Sequence, residues 1–348
     1  MEADLCNAFT QMSLQHKGSN TITTQRRIIK HIFQMCSVVL TGVIFLGGAV
    51  IGTSIIAILY FYECYYTLAL YMAFYALDFN RAVRGGRRCN LMRHFQIWKL
   101  FQGYFPIRLI KTTELDPRQK YIIGYHPHGV ISCGAFASFA TEAAGFSRMF
   151  KGIVPHLATL NINFRWPFVR DFLMALGMVG VDKLSFRHVL KKAGNAIVVV
   201  IGGAQEVMEA HPGSAKLVLK NRYGFVKEAI RAGAALVPAY AFGENDLFTQ
   251  IKNPPKIAKR FQMAAKKLLG IVPPLIKQIV PSPSAINVVV GSPITVTQSS
   301  QPSNQYVEFV KMRYQTALKS LYDKNRRQYS IHPAGNDPDM DPCGMEFI

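Results

Sequence analysis

The strongest break in the pattern of polar and apolar positions lies between Met35 and Leu77, where the only ionisable side chains are Glu63, the tyrosines, Cys36 and Cys64. One membrane crossing takes roughly 20 apolar residues, so a run about twice that long predicts two helices joined by a tight turn. Gly52-Thr53-Ser54 is the expected turn. It leaves the first arm short for a full crossing and admits a shallow re-entrant hairpin. A buried helix pair in a soluble protein is the plainer alternative.

From about Lys120 the pattern changes to short runs. YIIGY (121–125), NAIVVVIGG (195–203), ALVPAYAF (235–242) and INVVVGSPI (286–294) read as strands. Between and after them, GAFASFATEAAGF (134–146) reads as an apolar helix and RYGFVKEAIRAG (222–233) as an amphipathic helix closed by Gly233. Residues 304–328 read as a long helix with its basic end last. Strands alternating with helices predict an α/β fold with a mostly parallel sheet and flanking helices, plus the N-terminal hydrophobic hairpin. Ligands of such sheets bind at the carboxyl ends of the strands. That places HPHG (126–129), GGAQE (202–206) and FGEND (242–246) at one edge.

The expected organisation is a cytosolic segment (1–34), a membrane hairpin (35–79), a basic-aromatic interfacial segment (80–119), a catalytic α/β domain (120–331) and a flexible tail (332–348). Residues 251–285, rich in Lys and Pro, read as an irregular insertion, and no internal repeat is evident.

Charge sharpens this picture. The net charge of +20, from 40 Lys and Arg against 20 Asp and Glu, is concentrated. Residues 79–113 hold no acid, and Arg81, Arg84, Arg87, Arg88, Arg93, Lys99, Arg108 and Lys111 interleave there with Phe95, Trp98, Phe101, Tyr104 and Phe105. This suits an interfacial helix on anionic headgroups, each basic residue being worth about 1 kcal/mol. Two rivals are nucleic-acid phosphates, made unnecessary by the apolar anchor, and the phosphates of a soluble ligand such as a coenzyme A thioester. Arg26, Arg27 and Lys30 before the apolar run and Arg81, Arg84, Arg87 and Arg88 after it place both ends in the cytosol. The polar stretch ahead of the run argues against a cleaved secretory signal. Six scattered cysteines without a C-x-x-C pair suggest neither a disulfide framework nor a zinc site, and fit a reducing compartment.

The candidate chemistry centres on His126 and His128. Pro127 biases His126 toward an extended backbone, and positions two apart on such a backbone share a face. One reading is a metal pair with Glu206, Glu244 or Asp246 as oxygen ligands, although His156, His188 and His211 do not fall at strand ends to complete it. A second is a strand-to-helix turn. The third makes an imidazole the general base that takes a hydroxyl proton near neutral pH, with amides at the start of the following helix steadying an oxyanion and Glu206 orienting the ring. No G-x-S-x-G elbow occurs, so serine hydrolase chemistry has no support. Cys133 reads as a small buried residue ahead of an acyl carrier.

RGGRR (84–88), ELDPRQKYIIGYHPHGVISCGAF (114–136), NFRWPFVRDFL (163–173), GNAIVVVIGGAQE (194–206), LKNRYGFVKEAIRAGAALVPAYAFGENDLF (219–248) and VVVGSPI (288–294) together resemble the type-two diacylglycerol, monoacylglycerol and wax-alcohol acyltransferases. The resemblance implies a fold like that of glycerolipid acyltransferases and an enzyme of the endoplasmic reticulum membrane and lipid droplet surface. Such an enzyme moves a fatty acyl group from acyl-CoA to a mono- or diacylglycerol, or to a fatty alcohol or retinol. It implies no metal and no bound cofactor, membrane lipid but no nucleic acid as a partner, and leaves a homo-oligomer open.

The family's His-Pro-His-Gly motif falls on His126, Pro127, His128 and Gly129, with His128 as base and His126 as support, since the first histidine is replaced in the plant branch. Its Gly-Gly-x-x-Glu block falls on Gly202, Gly203 and Glu206. Backbone at Gly129, Gly134, Gly202 and Gly203 is expected at the oxyanion, and Arg87, Arg88, Lys220 and Arg222 at the coenzyme A phosphates. The His-x4-Asp pair of more distant glycerol-phosphate acyltransferases is absent: Cys133 follows His128 at that spacing and Ile131 follows His126. Between Phe248 and Val288 the chain is shorter than is usual in the family and lacks its Gly-Arg-Gly turn. A metal-dependent hydrolase and an inactive lipid-binding relative are the remaining rivals.

Overall fold

The structure, a computed structural model, describes residues 24–251, 274–330 and 344–348 and a few positions between 255 and 264. Helix α1, Thr24–Phe61, is a continuous rod of 38 residues, long and apolar enough to cross a membrane. At 1.5 Å per residue it extends about 57 Å. The chain reverses at residues 62–64, and α2, Tyr65–Leu77, runs back.

The turn is therefore not at Gly52-Thr53-Ser54. Those residues stay helical because the helix satisfies them: the Thr53 hydroxyl donates to the Ala49 and Val50 carbonyls at 2.9 and 3.0 Å. Gly52 gives α1 its close approach to the rest of the fold, since a Cβ there would sit 2.6 Å from the Pro167 carbonyl oxygen. The reversal falls instead at Glu63, with φ at +55°. This is the one acidic side chain of the run, and a carboxylate is costly to place among apolar groups. At about 20 Å, α2 is shorter than the roughly 30 Å hydrocarbon core of a bilayer.

The hairpin is clasped to the domain. Tyr71 stacks on Phe168 with ring centroids 5.1 Å apart, and the Tyr75 hydroxyl donates to the Arg165 carbonyl at 2.9 Å. Gly48 meets Val169 at the start of α4, if the helices Ile97–Tyr104 and Val169–Ala175 are taken as α3 and α4.

The basic-aromatic segment does not lie on a surface. Trp98, Phe101 and Tyr104 on α3, and Phe105 after it, are buried in the core. Their spacing of three and four residues marks the inner face of an amphipathic helix, a pattern that a membrane surface and a protein core produce alike. Arg93 is buried against Glu142 at 2.9 Å, and Lys99 donates to the Ala143 carbonyl at 2.7 Å. Leu91 and Phe95 remain exposed. The end of the segment is strand β1, Arg108–Lys111, not helix.

β1 joins β2 (Tyr121–His126), β3 (Val154–Thr159), β4 (Val179–Gly180), β5 (Asn195–Val200), β7 (Ala235–Phe242) and β8 (Asn287–Val290) in one sheet of order β1-β8-β7-β2-β5-β3-β4. Every pairing is parallel except β7 with β8. The mostly parallel sheet is as expected. β2 and β7 are buried along their whole length, as apolar strands covered on both faces must be. β3 and β4 were not foreseen, because β3 carries Pro155 and His156 in a run too mixed to read as a strand.

The apolar helix expected over 134–146 is helical only from Cys133 to Ala140, after which Thr141 is extended. Helix α5, Gly224–Ala232, ends at Gly233 in the left-handed conformation, and α6, Asn304–Tyr329, packs Tyr314 and Leu318 against the sheet. Of the expected flexible tail, residues 332–343 lie outside the described residues, but the last residues dock. Glu346–Phe347 (β9) pairs in parallel with Lys216–Leu217 (β6), and the Ile348 carbonyl accepts from the Leu219 and Lys220 amides at 3.1 Å each. Of the expected insertion at 251–285, positions 274–285 form no helix or strand beyond an isolated bridge of Ile276 to Gln250, and most of the remainder is outside the described residues.

Candidate active site

β7, β2 and β5 are neighbours and run parallel, so the segments that leave them emerge at one edge, as the strand pattern implied. The two histidines part company there. His126, the last residue of β2, is wholly buried, and its Nε2 lies 3.0 Å from the Tyr314 hydroxyl on α6. Burial pulls its pKa down to about 3, which keeps it neutral. His128 instead lines a cavity of about 700 Å³. The expectation of a shared face fails because β2 ends at His126, and strand alternation no longer applies beyond it.

The His128 ring is polarised in a defined sense. Its Nδ1 lies 3.1 Å from the Gly129 carbonyl oxygen. A carbonyl only accepts, so Nδ1 carries the proton and Nε2 keeps its lone pair. Burial, opposed by that hydrogen bond, holds the ring below the usual histidine range, so it is neutral at pH 7 and able to take a proton.

Glu206 does not orient the ring. One carboxylate oxygen accepts from the His128 backbone amide at 2.6 Å and the other from the Val218 amide at 2.7 Å. It thus ties the histidine loop to the segment leading to Arg222. The carboxylate is buried, which raises its pKa to about 7 against the pull of both amides and of Arg222. Gly202, at φ +109°, leaves the space that this side chain occupies.

A second buried carboxylate, Glu244, takes the place expected for an oxyanion. Its Oε2 accepts from the Tyr125 hydroxyl at 2.5 Å and from the Gly134 amide at 2.9 Å. Gly134 is therefore not an oxyanion donor; it and Gly129 are glycines because a Cβ at either position would meet Glu244 at 2.7 Å. Burial raises the Glu244 pKa from near 4.5 to about 7. The folded protein then holds a proton that the unfolded chain has released, so the stability this group contributes is present below pH 4.5 and lost as pH rises through 7. Glu244→Gln keeps an oxygen for both donors and removes the titration. The wild-type melting midpoint is expected to fall relative to this variant between pH 4.5 and 7; parallel profiles in detergent would refute the assignment.

The expected phosphate ligands divide. Arg87 is engaged by Asp171 and, at 3.3 Å, by Asp78. Arg88 donates to the Pro155 carbonyl at 2.9 Å, and its pKa falls to about 10 through burial and nearby Arg93. Both belong to the packing between the hairpin and the sheet, and neither lines the cavity. The Lys220 side chain is exposed and also outside the lining. Only Arg222, which donates to the Gly202 carbonyl at 2.7 Å, stands in the cavity wall with Gly202 and Gly203. Cys133 also lines it, but burial and Glu244 push its thiol well above the ordinary cysteine value, which makes it a poor nucleophile. Among the described residues no group of three or more His, Cys, Asp or Glu side chains is placed to hold a metal ion. Asp246, proposed as a ligand in that reading, accepts from the Gly213 amide at 2.8 Å.

The opposite wall of the cavity comes from α1, through Val38, Thr41, Gly42, Phe45 and Leu46. In the sequence these residues are indistinguishable from the rest of the apolar run, and nothing local marks Tyr314, brought to His126 from the C-terminal helix.

Residues 57–336 match the family model described as diacylglycerol acyltransferase. The chain is 38% identical over 322 residues to diacylglycerol O-acyltransferase 2 of Xenopus tropicalis, covering 88% of each chain. It is 38% identical to 2-acylglycerol O-acyltransferase 1 of Bos taurus, over 82% of this chain and 89% of that protein. Among solved structures it is similar to the 1-acyl-sn-glycerophosphate acyltransferase PlsC of Thermotoga maritima, with a TM-score of 0.40 and 10% identity over 88% of this chain and 99% of the other. Matched across most of its length by that model and by relatives at this identity, the chain belongs to the diacylglycerol acyltransferase family.

Proposed function

We propose that the protein transfers a fatty acyl group from acyl-CoA to the hydroxyl of a mono- or diacylglycerol. One observation carries this reading: the basic Nε2 of a neutral, partly buried His128 belongs to a cavity walled on one side by the sheet edge and on the other by a helix apolar enough for a bilayer. A lipid alcohol reaching that cavity loses its proton to Nε2 while its oxygen bonds to the thioester carbon. The carbon–sulfur bond then breaks, and the imidazolium returns its proton to the departing thiolate. The thioester brings the activated acyl group, so the step balances without another co-reactant.

The amides of residues 129–132, ahead of the helix start taken by Glu244, are the candidates to steady the oxyanion. Arg222 is the candidate for a coenzyme A phosphate. His126, Glu206 and Tyr314 position rather than react. The length of α1 and the basic residues on both flanks of the hairpin support an enzyme held in the endoplasmic reticulum membrane with cytosolic termini and access to lipid droplets.

Labelled oleoyl-CoA offered in turn with monoacylglycerol, diacylglycerol, retinol and a long-chain alcohol tests the reading. Ester formation with the acylglycerols is expected; hydrolysis alone, or no product with any acceptor, would sink it.

A further inference from the structure

We propose that Gly42 on α1 sets how far a fatty chain extends into the cavity, so that this one position of the apolar helix governs chain-length preference. The inference rests on the acyl transfer proposed above.

Three features isolate Gly42. Its φ and ψ of −59° and −43° are those of an ordinary right-handed helix, so the backbone does not require glycine. A glycine within a helix is less stable than an alanine there, so its presence calls for a reason. Packing does not supply one, because beyond its chain neighbours and the helix's own backbone nothing lies within 4 Å of the place a Cβ would occupy. Along the same helix a Cβ at Gly48 or Gly52 would come within 2.6 Å of Val169 or Pro167, while Gly47, where a Cβ would meet nothing closer than 3.9 Å, lies outside the cavity lining. What remains is the cavity itself, which Gly42 lines. The missing side chain keeps that space open.

The neighbouring residues prepare the wall for a hydrocarbon occupant. The hydroxyl of Thr41 donates to the Ser37 carbonyl at 2.7 Å, so its polar atom is already paired within the helix. Val38, Phe45 and Leu46 supply the remaining helix contribution, and Leu157 and Phe136 face it from the domain. A π-helical turn begins immediately after Gly42, at Val43–Gly47, a local widening of the helix often found at functional sites. Phe45 within that turn meets Phe136 edge-on at 5.4 Å, so the helix and the domain hold one another where the cavity passes between them. A cavity of about 700 Å³ falls within the usual range of roughly 300–1,000 Å³ for small-molecule ligands.

The occupant is a fatty chain, which can arrive on the acyl-CoA or already be esterified to the acceptor. Two assay arms separate these sources. In the first, acyl-CoA runs from octanoyl to stearoyl with a short-chain diacylglycerol held fixed; in the second, octanoyl-CoA is fixed and the acyl chains of the diacylglycerol lengthen. The full-length protein is compared with Gly42→Ala, Gly42→Leu and Gly42→Phe, and with Gly47→Leu, which adds bulk on the same helix outside the cavity lining.

In one arm the ratio of long-chain to short-chain rate is expected to fall about tenfold for Gly42→Leu, further for Gly42→Phe and least for Gly42→Ala, because the added side chain overfills the space a long chain takes. The arm that responds names the chain. Unchanged ratios in both arms, or equal losses at every length in all three Gly42 variants while Gly47→Leu stays active, overturn the inference. A wild-type enzyme that esterifies no acceptor overturns the acyltransferase reading itself, which distinguishes the two failures.

Discussion

Replacing His128 with alanine is expected to lower acyl transfer by about 10²–10⁴-fold, the usual contribution of a positioned general base, with no comparable loss of fold. The ring is the cavity's only imidazole among the described residues, and with Nδ1 committed to the Gly129 carbonyl its Nε2 is the atom left to act as base. Removing a side chain that borders the cavity strands no buried donor and costs one hydrogen bond, to the Gly129 carbonyl, so the melting midpoint should move little. His126→Ala should behave in the opposite way. It removes one of the two partners of the Tyr314 hydroxyl, which still donates to the Gly124 carbonyl at 3.2 Å, and it empties a ring's volume from the core, so it lowers stability before it lowers chemistry.

The pH dependence follows from the direction of the His128 shift. A base must be neutral to act, and burial holds this ring below the ordinary histidine value. Activity is therefore expected to rise with pH on an acid limb centred below about 6.5 and to be flat at neutrality. Transfer in washed microsomes, scored by labelled ester and compared at equal protein, checks both statements. A His128→Ala enzyme with normal rates would remove the imidazole from the mechanism.

Glu206→Ala carries the second large effect. It strands the buried amide of Val218 and the part-buried amide of His128, and each unpaired buried donor costs about 1–3 kcal/mol. The expected destabilisation of about 2–6 kcal/mol is a large share of the 5–15 kcal/mol that holds an ordinary domain, so little folded enzyme should accumulate. Glu206→Gln is the more informative change. Its single carbonyl oxygen can serve one amide, while its NH₂ group must face the other donor. The histidine loop then loses its fixed position relative to the segment that carries Arg222. A fall in kcat larger than any change in KM for acyl-CoA is expected; a lowered midpoint with kcat intact would make Glu206 a brace for the fold alone.

The location of the site could be read from the residues. The apolar runs ending at His126, Val200 and Phe242 announce buried strands, and a parallel sheet gathers the segments after such strands at one edge whatever the details of packing. Roles within the site could not. Gly134 looked like a free helix start because nothing local shows that Glu244, 110 residues onward, already caps it. Arg87 and Arg88 looked like phosphate ligands for the same reason: their partners Asp171 and Pro155 are distant in sequence. Glu206, expected to orient the ring, meets the histidine loop at its backbone instead.

The sequence alone determined what depends on composition and period: an apolar segment too long for one ordinary crossing, an α/β sheet, and a His-Pro-His-Gly turn at its ligand edge. Only the tertiary structure decided which polar groups are already satisfied, where the hairpin turns, and that the long apolar N-terminal helix doubles as a wall of the cavity. Periodicity reports the environment a face needs, apolar or wet. It does not report whether that environment is lipid, core or an open cavity, because all three reward the same side chains until the partners from the rest of the chain are in place.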